Sequence, residues 1–65
     1  MNKEQLGAFI AERRREEQMT QKDLAERLHI TDRAVSKWER GLCAPDISLL
    51  ESLAETLGVS ILELN

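Results

Sequence analysis

Lysine and arginine stop at Arg40: residues 42–65 contain neither, although they carry four acids. Tyrosine is absent, Phe9 and Trp38 are the aromatics, and there are one cysteine, one proline and one histidine. Each scarcity excludes something. Cys43 alone cannot close an internal disulfide, and a single His29 leaves no zinc site of known spacing. No apolar run approaches the 18 or so residues that span a bilayer, so no membrane role is expected. The N-terminus lacks the continuous apolar stretch of a signal peptide, and the expected compartment is the reducing cytoplasm. Catalysis finds no support either. His29 has no neighbouring nucleophile, and glycine-rich phosphate loops and paired carboxylates are missing. The reading is a non-enzyme that needs no cofactor and no metal.

What remains is a single domain over residues 1–65. A chain of this size buries only about 60% of its unfolded surface, which argues against a deep cleft of its own. Leu, Ile, Val and Phe together make 17 of the 65 residues. That exceeds the roughly 20% floor below which disorder is expected. Valine occurs twice, alternation is short, and apolar residues recur at three- and four-residue steps. The fold class is therefore all-α.

Stop and start signals predict five helices. The first spans Lys3 to Gln18, with Asn2 and Gln5 as a capping box and Leu6, Phe9 and Ile10 as its apolar stripe. Thr20 caps a second, Gln21 to Leu28, with Leu24, Ala25 and Leu28 inward. Thr31 caps a third, Asp32 to Arg40, which Gly41 stops. A fourth opens at Asp46 and runs to Leu57, with Ile47, Leu50, Leu53, Ala54 and Leu57 on one face. Ser60 and Glu63 start a short fifth that runs to the end.

The stretch from Gln21 to Gly41 carries the chemistry. Two short helices joined by three residues must cross steeply, and Ala25 supplies the small residue that such a crossing needs. On the third helix Val35 and Trp38 share an inward face, expected to continue into Leu42. Arg33, Lys37 and Arg40 share the opposite face, with Ser36 at its flank. Trp38 is assigned to the core by its spacing from Val35, and not to stacking on a base. A helix with an apolar inner side and a cationic outer side suits the DNA major groove. That is the helix-turn-helix arrangement, over about residues 21–40.

The order Thr20-Gln21, Asp23-Leu24-Ala25, Ile30-Thr31 and Val35-Ser36-Lys37-Trp38-Glu39-Arg40-Gly41 resembles the phage repressor and Cro family, the XRE type. Pro45-Asp46 and Leu53-Ala54 to Leu57-Gly58-Val59-Ser60 fit it too, so the likeness runs from Leu6-Gly7 to Leu62. The resemblance implies a compact five-helix repressor-like domain whose helix 32–40 enters the groove of a palindromic operator, working as a homodimer. It implies base contacts from Asp32, Arg33 and Lys37, a phosphate near Gln21, and an Arg14–Glu39 ion pair. Two departures stand out. His29 stands where members often have glycine, in a turn that requires a left-handed residue. Leu42-Cys43-Ala44 stands where many carry lysine or arginine for phosphates.

Weighing side chains one by one adds Ser36 to the base contacts. Arg13, Thr31, Arg40 and the backbone of Gly41 and Cys43 join Gln21 on the phosphates. Asp32 and Thr31 are explained nearly as well by capping, and the Cys43 thiol by an incidental loop position. Consecutive arginines point about 100° apart, so Arg13, Arg14 and Arg15 cannot act as one patch. Arg14 follows Leu6 and Ile10 inward, and Arg15 is read as solvated. Ile61, Leu62 and Leu64 offer a dimer surface. The expected role is a sequence-specific transcriptional repressor in the cytoplasm, associated with the nucleoid. A protein-interaction module of the same fold is the rival, favoured by the net charge of −3 and a pI near 5. The 65 residues leave open an antitoxin role with a toxin partner, and a further domain beyond the chain. Charge, however, divides unevenly. Residues 1–41 hold nine basic and eight acidic residues, +1, so the acidity comes from the −4 of residues 42–65.

Overall fold

Each of the first three helices begins on a side chain that accepts a backbone N–H. In the computed structural model, which describes residues 1–64, α1 spans Lys3–Glu16, α2 Gln21–Leu28, α3 Asp32–Glu39 and α4 Leu50–Leu57. Asn2 Oδ1 accepts from the Gln5 N–H at 2.8 Å, and Gln5 Oε1 accepts from the Asn2 N–H at 3.2 Å. Thr20 and Asp23 form the same reciprocal box at α2, at 3.0 and 2.9 Å. Thr31 Oγ1 accepts from the Ala34 N–H at 3.2 Å and starts α3. Each such cap contributes about 0.5–2 kcal/mol.

The four α-helices also end alike. Gln18, His29, Gly41 and Gly58 all lie in the left-handed region, with φ of 58°, 58°, 73° and 70°. Behind each, two N–H groups turn back onto the last helical carbonyls: Met19 onto Arg14, Ile30 onto Ala25, Leu42 onto Lys37 and Val59 onto Ala54, each at 3.0 Å. These are Schellman closures. The turn at His29 is thus the left-handed one expected, and α1 stops at Glu16 because Gln18 reverses the chain.

The core is built from Leu6, Ile10, Met19, Leu24, Ala25, Leu28, Val35, Trp38, Leu53, Ala54, Leu57 and Leu64. No strand occurs among the described residues. At Gly7 the backbones of α1 and α3 come close together. A Cβ added at Gly7 would stand 2.0 Å from the Trp38 carbonyl oxygen. Only glycine lets the two backbones come so near.

Four expectations are corrected. The fourth helix does not open at Asp46. Asp46 instead accepts from the Ser48 N–H and hydroxyl, and Leu49 closes a single 3₁₀ turn, Ile47–Leu49, before α4 begins. That change of phase turns Ile47 outward, 82% exposed, rather than into the core. Leu42 is likewise exposed, because the reversal at Gly41 ends the helical phase that would have carried it inward. The fifth helix is only a 3₁₀ turn, Ile61–Leu64, so the α-helices among the described residues number four. The chain's last residue, Asn65, lies outside the described residues.

Candidate nucleic-acid interface

The outward side of α3 is held in place from beneath by a partly buried ion pair. Arg14 Nε donates to Glu39 Oε2 at 2.6 Å, and Arg14 Nη2 donates to Glu39 Oε1 at 3.0 Å. Arg14 Nη1 donates to the Met19 carbonyl at 2.8 Å, and Gln21 Nε2 donates to Glu39 Oε1 at 2.9 Å. The two charged side chains are 11% and 7% exposed. One carboxylate therefore ties α1, the start of α2 and the end of α3 together. Burial pushes the Glu39 carboxyl up, but hydrogen bonds from Arg14 and Gln21 and the Arg14 charge outweigh it, and its pKa falls below the usual value. The bond to Glu39 in turn raises the pKa of Arg14, against the opposing effect of its burial. Both stay charged at neutral pH.

This frame ties α3 to α1 and α2 while leaving its outer face free. Asp32, Arg33, Lys37 and Arg40 are exposed, and Ser36 is half-buried at the flank. Arg33 and Lys37 have no ion-pair partner among the described residues. Arg40 Nε leans back on the Ser36 carbonyl at 3.4 Å, which leaves its terminal nitrogens unpartnered among the described residues. Val35 and Trp38, the opposite side of the same helix, are 0% and 4% exposed. An eight-residue helix so divided presents one cationic, hydrogen-bonding surface to solvent.

The sites expected at phosphates sort less simply. Thr31 is exposed and keeps its hydroxyl hydrogen free to donate, since its Oγ1 accepts from Ala34. Gln21 uses its side-chain amide on Glu39, so what α2 offers there is its own first turn. The Gly41 N–H bonds the Trp38 carbonyl at 3.0 Å and is not available; the Cys43 N–H has no partner among the described residues. Arg13 points the other way. Its Nη2 donates to the Leu57 carbonyl at 2.8 Å, and it pairs with Glu16 and Glu17 at 3.5 and 3.4 Å. It therefore caps the end of α4, where helix carbonyls lack partners. Leu64, expected on a dimer surface, is buried in the chain's own core, whereas Ile61 and Leu62 are exposed.

Sequence reasoning placed Gly7 within the family likeness but gave it no role, and it missed Met19. Gly7 sits within an ordinary helix and has no local signal; its meaning depends on the α3 backbone beside it. The Met19 carbonyl acts through its backbone, which no side-chain pattern announces.

Comparison with known proteins decides the family. A family model described as Helix-turn-helix matches residues 10–64. The chain belongs to the XRE-type helix-turn-helix family. This is a family of DNA-binding regulators and not of enzymes. A comparison with curated proteins found no match. Among solved structures, the chain is similar to PlcR of Bacillus thuringiensis in complex with the peptide PapR7 and DNA, at 31% identity and a TM-score of 0.86. That match covers 94% of this chain and 21% of PlcR. The clp gene regulator ClgR of Corynebacterium glutamicum is 31% identical with a TM-score of 0.87, over 95% of this chain and 66% of ClgR. The P22 c2 repressor, solved with a synthetic operator, is 29% identical with a TM-score of 0.86, over 91% of this chain and 89% of the repressor chain. This helix-turn-helix chain thus spans about a fifth of PlcR and about two thirds of ClgR.

Proposed function

We propose that this helix-turn-helix chain is a sequence-specific transcriptional repressor that places α3 in the major groove of a palindromic operator as a homodimer. The observation that carries the reading is the division of α3. Its inner side is locked by the core and by Arg14–Glu39, and its outer side shows Arg33 and Lys37 without partners. Arg33 and Lys37 read base edges, with Asp32 and Ser36 beside them. Asp32 accepts from a cytosine amino group, the contact open to a carboxylate in that groove. The first turn of α2 at Gln21, the Thr31 hydroxyl, Arg40 and the Cys43 N–H hold phosphates and fix the register. Ile61 and Leu62 supply apolar area to the second copy. The action is cytoplasmic, at the nucleoid; no described helix is long and apolar enough to cross a membrane.

Selection of bound duplexes from a random DNA pool tests this directly. A recovered palindromic consensus supports the proposal, and recovery of no enriched sequence overturns it. On the selected duplex, Arg33→Ala should cost about 1–3 kcal/mol and relax choice at one base pair. Equal affinity and equal selectivity in that variant would remove Arg33 from the base contacts.

A further inference from the structure

Three consecutive arginines close α1, and the structure gives them three different fates. Arg13 is engaged with Leu57, Glu16 and Glu17, and Arg14 with Glu39 and Met19. Arg15 is exposed, and its side chain has no hydrogen bond or ion pair among the described residues. Its place on α1 is informative. Gly7, Ala11 and Arg15 follow one another at four-residue steps and so lie along one side of the helix. That side runs beside the end of α3. Gly7 backs onto the Trp38 and Glu39 carbonyls, and Ala11 is 6% exposed. One turn earlier, Glu4 packs beside Gly41. Arg15 is the residue of this row that emerges into solvent, one position along α1 from Arg14 and its bonds to Glu39. Its charge reaches that pair, since it helps hold the Glu39 carboxyl down.

From this placement we infer that Arg15 is a phosphate-binding residue, gripping the DNA backbone where the strand passes the start of α2. The inference rests on the DNA-binding reading above. A guanidinium fork matches two phosphate oxygens, whereas Gln21 at the same edge has its side chain occupied by Glu39. With Leu42-Cys43-Ala44 carrying no cation, Arg15 compensates for part of the backbone contact that the loop after α3 does not make.

The test is a salt series on two probes, a duplex selected by the wild-type chain from a random pool and a random-sequence duplex. For Arg15→Ala the slope of log K against log salt should become shallower by about 0.9, the share of one phosphate. Affinity should fall by the same factor on both probes, with the melting temperature unchanged. Arg15→Lys should keep the slope. Arg13→Ala should keep the slope but lower the melting temperature. A wild-type slope in Arg15→Ala, while the wild-type chain binds, overturns this inference alone. So does a loss confined to the selected duplex, or a shallower slope in Arg13→Ala in place of Arg15→Ala. If the wild-type chain binds neither probe at low salt, the DNA-binding reading falls and this inference with it.

Discussion

Arg14 holds Glu39 through two nitrogens, at 2.6 and 3.0 Å, across 25 residues of chain. The pair joins α1 to the last turn of α3, and Gln21 and the Met19 carbonyl complete its shell. A partly buried pair of this kind fixes geometry more than it adds stability, because desolvation offsets part of the attraction. What it fixes here is the orientation of the helix proposed to read DNA.

Removing one member leaves the other charged, partly buried and without its partner. Glu39→Leu should therefore cost about 1–3 kcal/mol, the range for leaving a partly buried polar group without its partner and a large fraction of the stability of a small domain. Arg14→Leu should cost a comparable amount. Combined, the two should destabilise by clearly less than their sum, since the double variant buries no unpaired charge. Denaturant titration followed by Trp38, the single tryptophan, gives all four corners of the cycle. Additive losses would show that the pair is not coupled.

Acid should loosen the same junction. The pKa of Glu39 lies below its ordinary value of 4.5 in the folded state. A carboxyl depressed by folding contributes stability that is fully present above the unfolded value and lost as pH falls through the folded one. Stability should thus hold at neutral pH and fall below about pH 4.5. Asp23, whose backbone and hydroxyl bonds with Thr20 lower it, and Asp46, lowered by the Ser48 hydroxyl and N–H, act in the same direction. Glu39→Gln should flatten the acid limb of a stability-against-pH curve relative to wild type. A limb of unchanged steepness would place the acid sensitivity elsewhere.

The sequence made the helix starts legible, because Asn2, Thr20 and Thr31 act on neighbours three residues away. It made Arg14–Glu39 legible through the family resemblance and through the four-residue steps from Leu6 and Ile10 to Arg14, which imply an inward charge in need of a partner. The parts played by Gln21 and the Met19 carbonyl left no such trace. The start of α4 was not legible. There Asp46 and Ser48 bond locally, a 3₁₀ turn over Ile47–Leu49 delays the α-helix, and no apolar periodicity records it. Arg13 was misplaced for a related reason. Its partner is the Leu57 carbonyl, and backbone acceptors leave no trace in side-chain patterns.

Two left-handed positions are filled by residues that resist them. His29 is exposed and has no side-chain hydrogen bond among the described residues, yet it holds φ of 58°. Relieving that conformation recovers about 1–2 kcal/mol. Glycine returns about 0.4–1 kcal/mol of it through the unfolded chain. His29→Gly should accordingly stabilise by about 0.5–1 kcal/mol and raise the melting temperature by several degrees. Operator affinity should be unchanged, since the turn is closed by backbone bonds. A lower melting temperature would mean that the imidazole makes a contact that the turn requires.

Gly7 makes the opposite case, a glycine inside a helix where alanine would ordinarily be better by about 1 kcal/mol. The added Cβ would meet the Trp38 carbonyl oxygen at 2.0 Å, and a carbonyl fixed in α3 cannot swing aside as a side-chain end could. Either α1 or α3 must move, and overpacking of this kind costs about 1–3 kcal/mol. The clash should outweigh the propensity, so Gly7→Ala lowers the melting temperature. Because α1 also carries Arg14, the displacement should weaken binding to the selected duplex even at temperatures where the variant is fully folded. A stabilised variant with parental affinity would show that the two helices can separate without consequence for α3, and that Gly7 does not set the height of the reading helix.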